Sequence, residues 1–454
     1  VAIIGAGPTG FYAADYLLKQ KDLAVEIDMF DKLPVPYGLV RFGVAPDHQK
    51  IKSVTKAFER TAKNPSVRFY GNVRFGQHVR LDDLKKFYHQ IIFTTGAQTD
   101  RKMGIPGEDL PGSHPATEFV AWYNGHPEFK DCQFDLTQER VAVVGIGNVA
   151  MDVARILCRN REELLQTDIA DYALESLVNS KVKEVYILGR RGPAQAKFTN
   201  PEIKELGEMV DADIYVPPAD AVLDPLSQAS LDASGDRSMV KNVEIVQSYT
   251  TLPDSGKSRR LILRFLVSPV ELLGNEETGV TAMRLVKNEL YTTSAGTMRP
   301  RATDQFEEIP VGLVFRSVGY RGKPLPDIPF YDNWGVILNE QGRVLDPDSR
   351  HPLPGMYTAG WIKRGPSGVI GTNKPDAVET VTCMLDDLKQ EVYFHPEQPQ
   401  VEAAAGFIKS RQPQFISFDD WLKLDELEIA RGEAQGRPRV KFIDVEEILA
   451  ALGR

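Results

Sequence analysis

The chain has 454 residues, 42% of them apolar and 26% charged, with a formal charge of −9. That length exceeds one hydrophobic core and asks for two or three domains. The acidic balance excludes global attraction to nucleic acid or an anionic membrane, and no apolar run reaches the length of a membrane span.

The three cysteines, Cys132, Cys158 and Cys383, make no C-x-x-C and no metal-ligand spacing. No metal site, no cluster and no redox disulfide is therefore expected within the chain, and a reducing, cytoplasmic compartment is. The sequence starts on a strand pattern without Met, which leaves upstream residues, or an upstream domain, open.

The first element is an apolar run, Val1-Ala2-Ile3-Ile4, followed by Gly5-Ala6-Gly7-Pro8-Thr9-Gly10 and a helical pattern from Phe11 to Leu18. This is the strand–turn–helix context of a dinucleotide site. The first glycine permits the tight turn, the second lets a pyrophosphate approach the backbone, and the third lets helix pack on strand. The next strand, Ala24–Phe30, ends at Asp31, about 20 residues on. A carboxylate there can accept from both ribose hydroxyls and repels a 2′-phosphate, so this loop suits FAD or NAD.

Pro34, Pro36 and Gly38 then break structure. A helix is predicted over 48–63, short strands over 67–80, and an apolar strand over Gln90–Ala97. Gly104, Pro106, Gly107, Pro111 and Gly112 mark a crossing into a second domain.

The second fingerprint is Val141-Ala142-Val143-Val144-Gly145-Ile146-Gly147-Asn148-Val149-Ala150, with a helix continuing through Leu157. A helical insertion over 160–180 delays the next strand, Glu184–Gly189, which ends in Arg190-Arg191 instead of an acid. Two guanidiniums suit a doubly charged 2′-phosphate, hence NADP. The segment 217–240 reads as a loop insertion, and runs near 243–249, 260–272 and 280–287 as an antiparallel meander. The apolar stretch 311–320 reads as the return crossing. The expected architecture is α/β, with two Rossmann-like domains. An FAD domain is made from 1–100 and 321–454, and an NADP domain, 101–320, is nested inside it. Two dinucleotides in one chain point to electron transfer between them.

Four stretches carry a resemblance: Pro36–His48, Gly145–Arg155, Gly189-Arg190-Arg191-Gly192-Pro193 and Ala359–Lys374. Together they resemble the adrenodoxin reductase-like NADPH–ferredoxin reductases, above all the actinobacterial type, some of which are fused to a ferredoxin. The resemblance covers essentially the whole chain. It implies a flavoprotein ferredoxin–NADP+ reductase: hydride passes from NADPH to FAD N5, then single electrons pass to an iron–sulfur protein. It further implies that FAD meets Gly5, Ala6, Gly7, Pro8, Asp31, Leu39 and Val79, and that Trp361, Gly368, Val369 and Ile370 meet the flavin ring. NADP would meet Gly145, Ile146, Gly147, Asn148, Val149, Arg190, Arg191 and Glu202. His48 with Glu205 would relay a proton. Asp31 stands where relatives often carry Glu.

A ferredoxin or similar acidic acceptor needs a local basic patch, for which Arg41, Arg321, Lys323, Lys363 and Arg364 are the candidates. A monomer is expected. A disulfide reductase shares the two-dinucleotide plan but needs a cysteine pair beside the flavin, which this chain lacks. The competing reading from another class is a non-catalytic NADP(H) or flavin redox sensor.

Overall fold

A computed structural model describes all 454 residues. The chain forms two compact units, one from Val1–Thr99, Asn124–Lys130 and Gly319–Arg454, the other from Asp100–Tyr123 and Asp131–Val318. The sequence reading runs the second domain unbroken over 101–320; in the structure nine of those residues, Asn124–Lys130 with Gly319 and Tyr320, belong to the first unit.

The first unit is built on a seven-stranded sheet. Its parallel centre runs Pro352–Thr358, Ile91–Phe93, Ala2–Ile4, Ile27–Phe30, Val67–Tyr70. Alternation along these strands divides the core between the two faces. Ile3, Ile27, Met29 and Ile92 pack into one cluster with Phe11 and Phe58. Ala2, Ile4, Phe30, Ile91 and Phe93 pack into another with Val79 and Phe75. Each of these isoleucines is fully or almost fully buried, worth about 2 kcal/mol apiece. Putting Gly5 at the carboxyl end of the central strand places the glycine loop where open α/β sheets bind ligands. The helix predicted over 48–63 is two short ones, Gln49–Lys52 and Thr55–Ala62.

The short return Asn124–Lys130 is tied into this unit by side chains. Glu128 pairs with Lys32 at 2.5 Å and with Arg74 at 2.6 Å, and the His126 ring lies 5.0 Å from that of Phe42. The Lys441 ammonium donates to Asn124 O at 3.1 Å.

The second unit holds a six-stranded parallel sheet ordered Ser113–Pro115, Leu313–Arg316, Arg140–Val144, Glu184–Leu188, Arg259–Arg264, Ala212–Tyr215. A three-stranded antiparallel sheet, Val267–Asn275, Gly279–Thr292 and Met298–Pro310, stands beside it.

Three expectations fail here. The segment 217–240 is helical, with helices Pro218–Ala221, Pro225–Ser234 and Arg237–Ser248. Its loop-like composition is helix-start chemistry: Asp224 accepts from the N–H of Leu226 and Ser227, and Asp236 from those of Ser238 and Met239. The run 243–249 lies on that last helix, where Val243 and Val246 bury at a helical spacing, not a strand one. The run 260–272 is two strands. Arg259–Arg264 joins the parallel sheet, and the chain turns at Leu266, with φ +53°, into the antiparallel one. No helix is long and apolar enough to cross a membrane.

Candidate functional site

Each unit carries one glycine loop. In the first, Gly5 has φ +112°, and a Cβ there would sit 2.7 Å from Thr94 O. Its N–H donates to Phe30 O at 2.7 Å, and Thr94 Oγ1 donates to Gly5 O at 2.7 Å. Gly10 is equally constrained, since a Cβ there would lie 2.3 Å from Gly5 O. At Gly7, by contrast, a Cβ would meet nothing within 4 Å. The helix Pro8–Leu18 that follows has no side-chain cap. Free backbone donors therefore face open space at the positive end of a helix dipole, which is the chemistry a pyrophosphate needs.

Two segments frame that space. Tyr37 N donates to Ala6 O at 2.8 Å, and a Cβ on Gly38 would lie 3.1 Å from Gly7 Cα, so Leu39 follows directly beside the loop. The carboxylate of half-buried Asp31 accepts from Ala6 N at 2.8 Å and from Leu33 N at 2.9 Å. Burial pushes the Asp31 carboxyl above its ordinary value, against the pull of those N–H donors. Its remaining lone pairs fit ribose hydroxyls. Val79 is fully buried among Phe75 and Phe93 in the core.

The stretch 360–373 is held as a rigid loop. Gly360 has φ +79° and donates its N–H to Asp376 Oδ2. The Trp361 indole N–H donates to Ser367 O at 3.1 Å, and its ring lies 5.6 Å from that of Tyr320. The Arg364 guanidinium reaches Ser367 O at 2.9 Å and Asn373 Oδ1 at 3.0 Å. Gly368, with φ +76°, is exposed, as is Val369 at 52%, and Ile370 is half-buried. A bare glycine beside an exposed valine on a braced loop is a surface suited to a flat aromatic ring.

The second unit repeats the turn. Gly145 has φ +134°, and a Cβ there would lie 2.3 Å from Ser317 O. Its N–H donates to Leu188 O at 2.9 Å. Gly147 again has nothing within 4 Å of a Cβ, and the helix Asn148–Cys158 again lacks a side-chain cap. A Cβ on Gly189 would lie 2.8 Å from the Ile146 side chain, so the end of the strand Glu184–Leu188 presses on the loop and delivers Arg190 and Arg191 beside it. Asn288 Nδ2 fixes the Arg190 carbonyl at 2.9 Å. Neither guanidinium has a carboxylate partner. Burial, then the neighbouring Arg190 charge, pull Arg191 below its ordinary pKa. Half-exposed Val149 continues the helix start.

The remaining expected residues are Glu202, Glu205 and His48. Buried Glu202 accepts from Arg155 Nη1 at 3.2 Å, and Glu205 lies 3.4 Å from the same nitrogen. Fully buried Arg155 also pairs with Asp152 at 2.7 Å, so both glutamates belong to one charge network around a buried guanidinium, Glu205 at its partly exposed edge. His48 precedes the helix Gln49–Lys52 in the first unit, while Glu205 lies in the second.

Two docking candidates are corrected. Arg41 is 6% exposed and paired with buried Glu428 at 2.5 Å, and Lys363 is 8% exposed and paired with Asp376 at 3.0 Å and Glu379 at 2.5 Å. Both cations serve the interior of the first unit. Arg321 bonds Asp332 O, and Lys323 is exposed. Sequence reasoning also missed Thr94 and Tyr37 as braces of the first loop. Thr94 ends an apolar strand that the sequence does reveal, but only strand order brings it to Gly5.

The profile of the pyridine nucleotide-disulphide oxidoreductase family matches residues 1–206. NADPH-ferredoxin reductase FprA of Mycobacterium tuberculosis is 44% identical over 99% of this chain and 98% of its own length. The human mitochondrial NADPH:adrenodoxin oxidoreductase is 40% identical over 100% of this chain and 92% of its own. A solved structure of the M. tuberculosis FprA in complex with NADPH superposes with a TM-score of 0.93, covering 100% of this chain and 99% of that one at 44% identity.

Proposed function

The chain belongs to the adrenodoxin reductase-like family of NADPH–ferredoxin reductases, and we propose that it is a FAD-dependent NADPH–ferredoxin oxidoreductase. FAD is held by the first unit and NADP(H) by the second. The observation that carries the assignment is the charge contrast between two congruent loops. Asp31 stands beside the first, and two arginines without carboxylate partners stand beside the second.

Bound FAD supplies the conversion of one hydride into single electrons that an iron–sulfur acceptor can take one at a time. The chain's residues do the binding and positioning. The free N–H groups after Gly7 and after Gly147 receive the two pyrophosphates, Asp31 takes ribose hydroxyls, and Arg190 with Arg191 takes the 2′-phosphate. The braced Trp361–Ile370 loop orients the flavin, with Gly368 leaving its face uncovered. The proton relay expected of His48 and Glu205 rests on the family resemblance. The three unpaired cysteines support a reducing, cytoplasmic setting.

The test is anaerobic reduction of a small iron–sulfur protein by the flavin-loaded enzyme and NADPH. The expected result is catalytic reduction whose rate falls as salt rises, because docking of an acidic partner is charge-steered. Flavin that NADPH cannot reduce would instead favour the sensor, a reading the reductases among the relatives do not support.

A further inference from the structure

The assignment above leaves one cation beside the second glycine loop without a role. Lys197 N donates to Ile146 O at 3.0 Å, and Lys197 forms an isolated parallel bridge with Gly147. The stretch is extended, with ψ 147° at Ala196 and ψ 161° at Thr199. Two further bonds pin it: Thr199 N donates to Asn148 Oδ1 at 2.9 Å, and Asn242 Nδ2 donates to Phe198 O at 2.9 Å. Phe198 is 3% exposed and turns into the core. Successive side chains of an extended segment point to opposite sides, so Lys197 is sent outward, and it is exposed. It has no ion pair or side-chain hydrogen bond. Its backbone thus runs alongside Gly147, where a Cβ would meet nothing within 4 Å.

We propose that Lys197 is a phosphate-binding residue of this loop, placing its ammonium on the pyrophosphate of the pyridine nucleotide. The proposal rests on the reading that this loop binds NADP(H). It divides the labour among three cations. Arg190 and Arg191, at the end of the neighbouring strand, read the 2′-phosphate and so discriminate NADP from NAD. Lys197, beside Gly147, meets a group that both nucleotides share, and so sets affinity without setting preference. An ammonium on a flexible stem suits this task, because a pyrophosphate needs a point charge more than a planar fork. Two acids, Glu202 and Glu205, follow on the helix Asn200–Gly207, but both are engaged by Arg155, which leaves the Lys197 charge available.

The experiment measures Kd for NADP+ and for NAD+ by calorimetry on the flavin-loaded protein, at low and moderate salt, for wild type, Lys197→Ala and Lys197→Arg. Lys197→Ala is expected to weaken both nucleotides by a similar factor, about five- to tenfold, and to flatten the salt dependence of binding. Lys197→Arg is expected to restore most of the loss. In turnover, the alanine variant raises KM for NADPH and leaves kcat unchanged. Unchanged affinity for both nucleotides overturns the proposal, and so does a loss confined to NADP+, which would move Lys197 to the 2′-phosphate. The underlying reading fails separately, if the wild type itself binds neither nucleotide or prefers NAD+.

Discussion

The two glycine loops are almost the same object with opposite electrostatics. Gly5 and Gly145 share a positive φ that a side chain would strain, and each donates its N–H to the end of the neighbouring strand, Phe30 O in one and Leu188 O in the other. Gly7 and Gly147 are both open, and both helices start uncapped. The loops differ in what the next strand delivers. Asp31 is drawn into the turn and braces it through Ala6 N and Leu33 N. Arg190 and Arg191 brace nothing with their side chains, and neither guanidinium has a carboxylate partner. In the proposed reading, backbone geometry makes a dinucleotide site and the charge at one strand end decides which dinucleotide.

The third glycine position offers the harshest way to break the likeness. A methyl on Gly10 would lie 2.3 Å from Gly5 O, a backbone atom that cannot yield cheaply, whereas Ala150 already carries its methyl in a buried site. Gly10→Ala should cost about 3 kcal/mol and yield protein poor in flavin. The mirror change Ala150→Gly should cost only about 1 kcal/mol, from helix propensity and the lost methyl. Thermal melts and the flavin-to-protein absorbance ratio check both, and equal effects would break the comparison.

Next in size is the charge itself. Replacing Arg190 and Arg191 together by alanine should weaken NADP+ about 100-fold and leave NAD+ nearly unchanged, as titration of each nucleotide would read. Smaller again is Asp31→Asn. The amide keeps one acceptor for two N–H donors, so the first loop should lose about 1–2 kcal/mol and release flavin more readily on dilution, with nucleotide affinity of the second unit unaffected.

Acid gives the mildest contrast. Burial, reinforced by a nearby cation, lowers His126 in the first unit and His114 in the second from 6.5 to about 4. Both are held neutral when folded, so their contribution is complete above pH 6.5 and is lost as pH falls toward 4. Glu128 adds a second loss in the first unit alone. Burial pushes its carboxyl up, but Lys32 and Arg74 outweigh that and hold it at about 2 against an ordinary 4.5. The stability it lends is complete above pH 4.5 and fades as pH falls from there toward 2. Hydrogen exchange should therefore show the segment around Asn124–Lys130 opening ahead of the second unit below pH 4.5.

Much of this was legible in the sequence because it is local. The glycine loops, Asp31 and the Arg190-Arg191 pair sit within a few residues of a strand end, where spacing and charge carry the chemistry. What failed was non-local or ambiguous in composition. Arg41 and Lys363 look like surface cations until the fold brings Glu428 and Asp376 to them. The Pro-, Ser- and Asp-rich stretch before 240 looks like loop because N-caps and turns use the same residues. The outer strand Met298–Pro310 escaped because it is mostly exposed and shows no apolar alternation. The return Asn124–Lys130 has no signal of its own, since its anchors, Lys32, Arg74 and Lys441, come from three distant parts of the chain.

Anaerobic stopped-flow absorbance of the flavin-loaded protein, mixed with NADPH and separately with NADH, tests the central claim most directly. The account predicts rapid loss of the oxidised flavin band with NADPH and a much slower loss with NADH at equal concentration. Nucleotide binding with no loss of that band would contradict it.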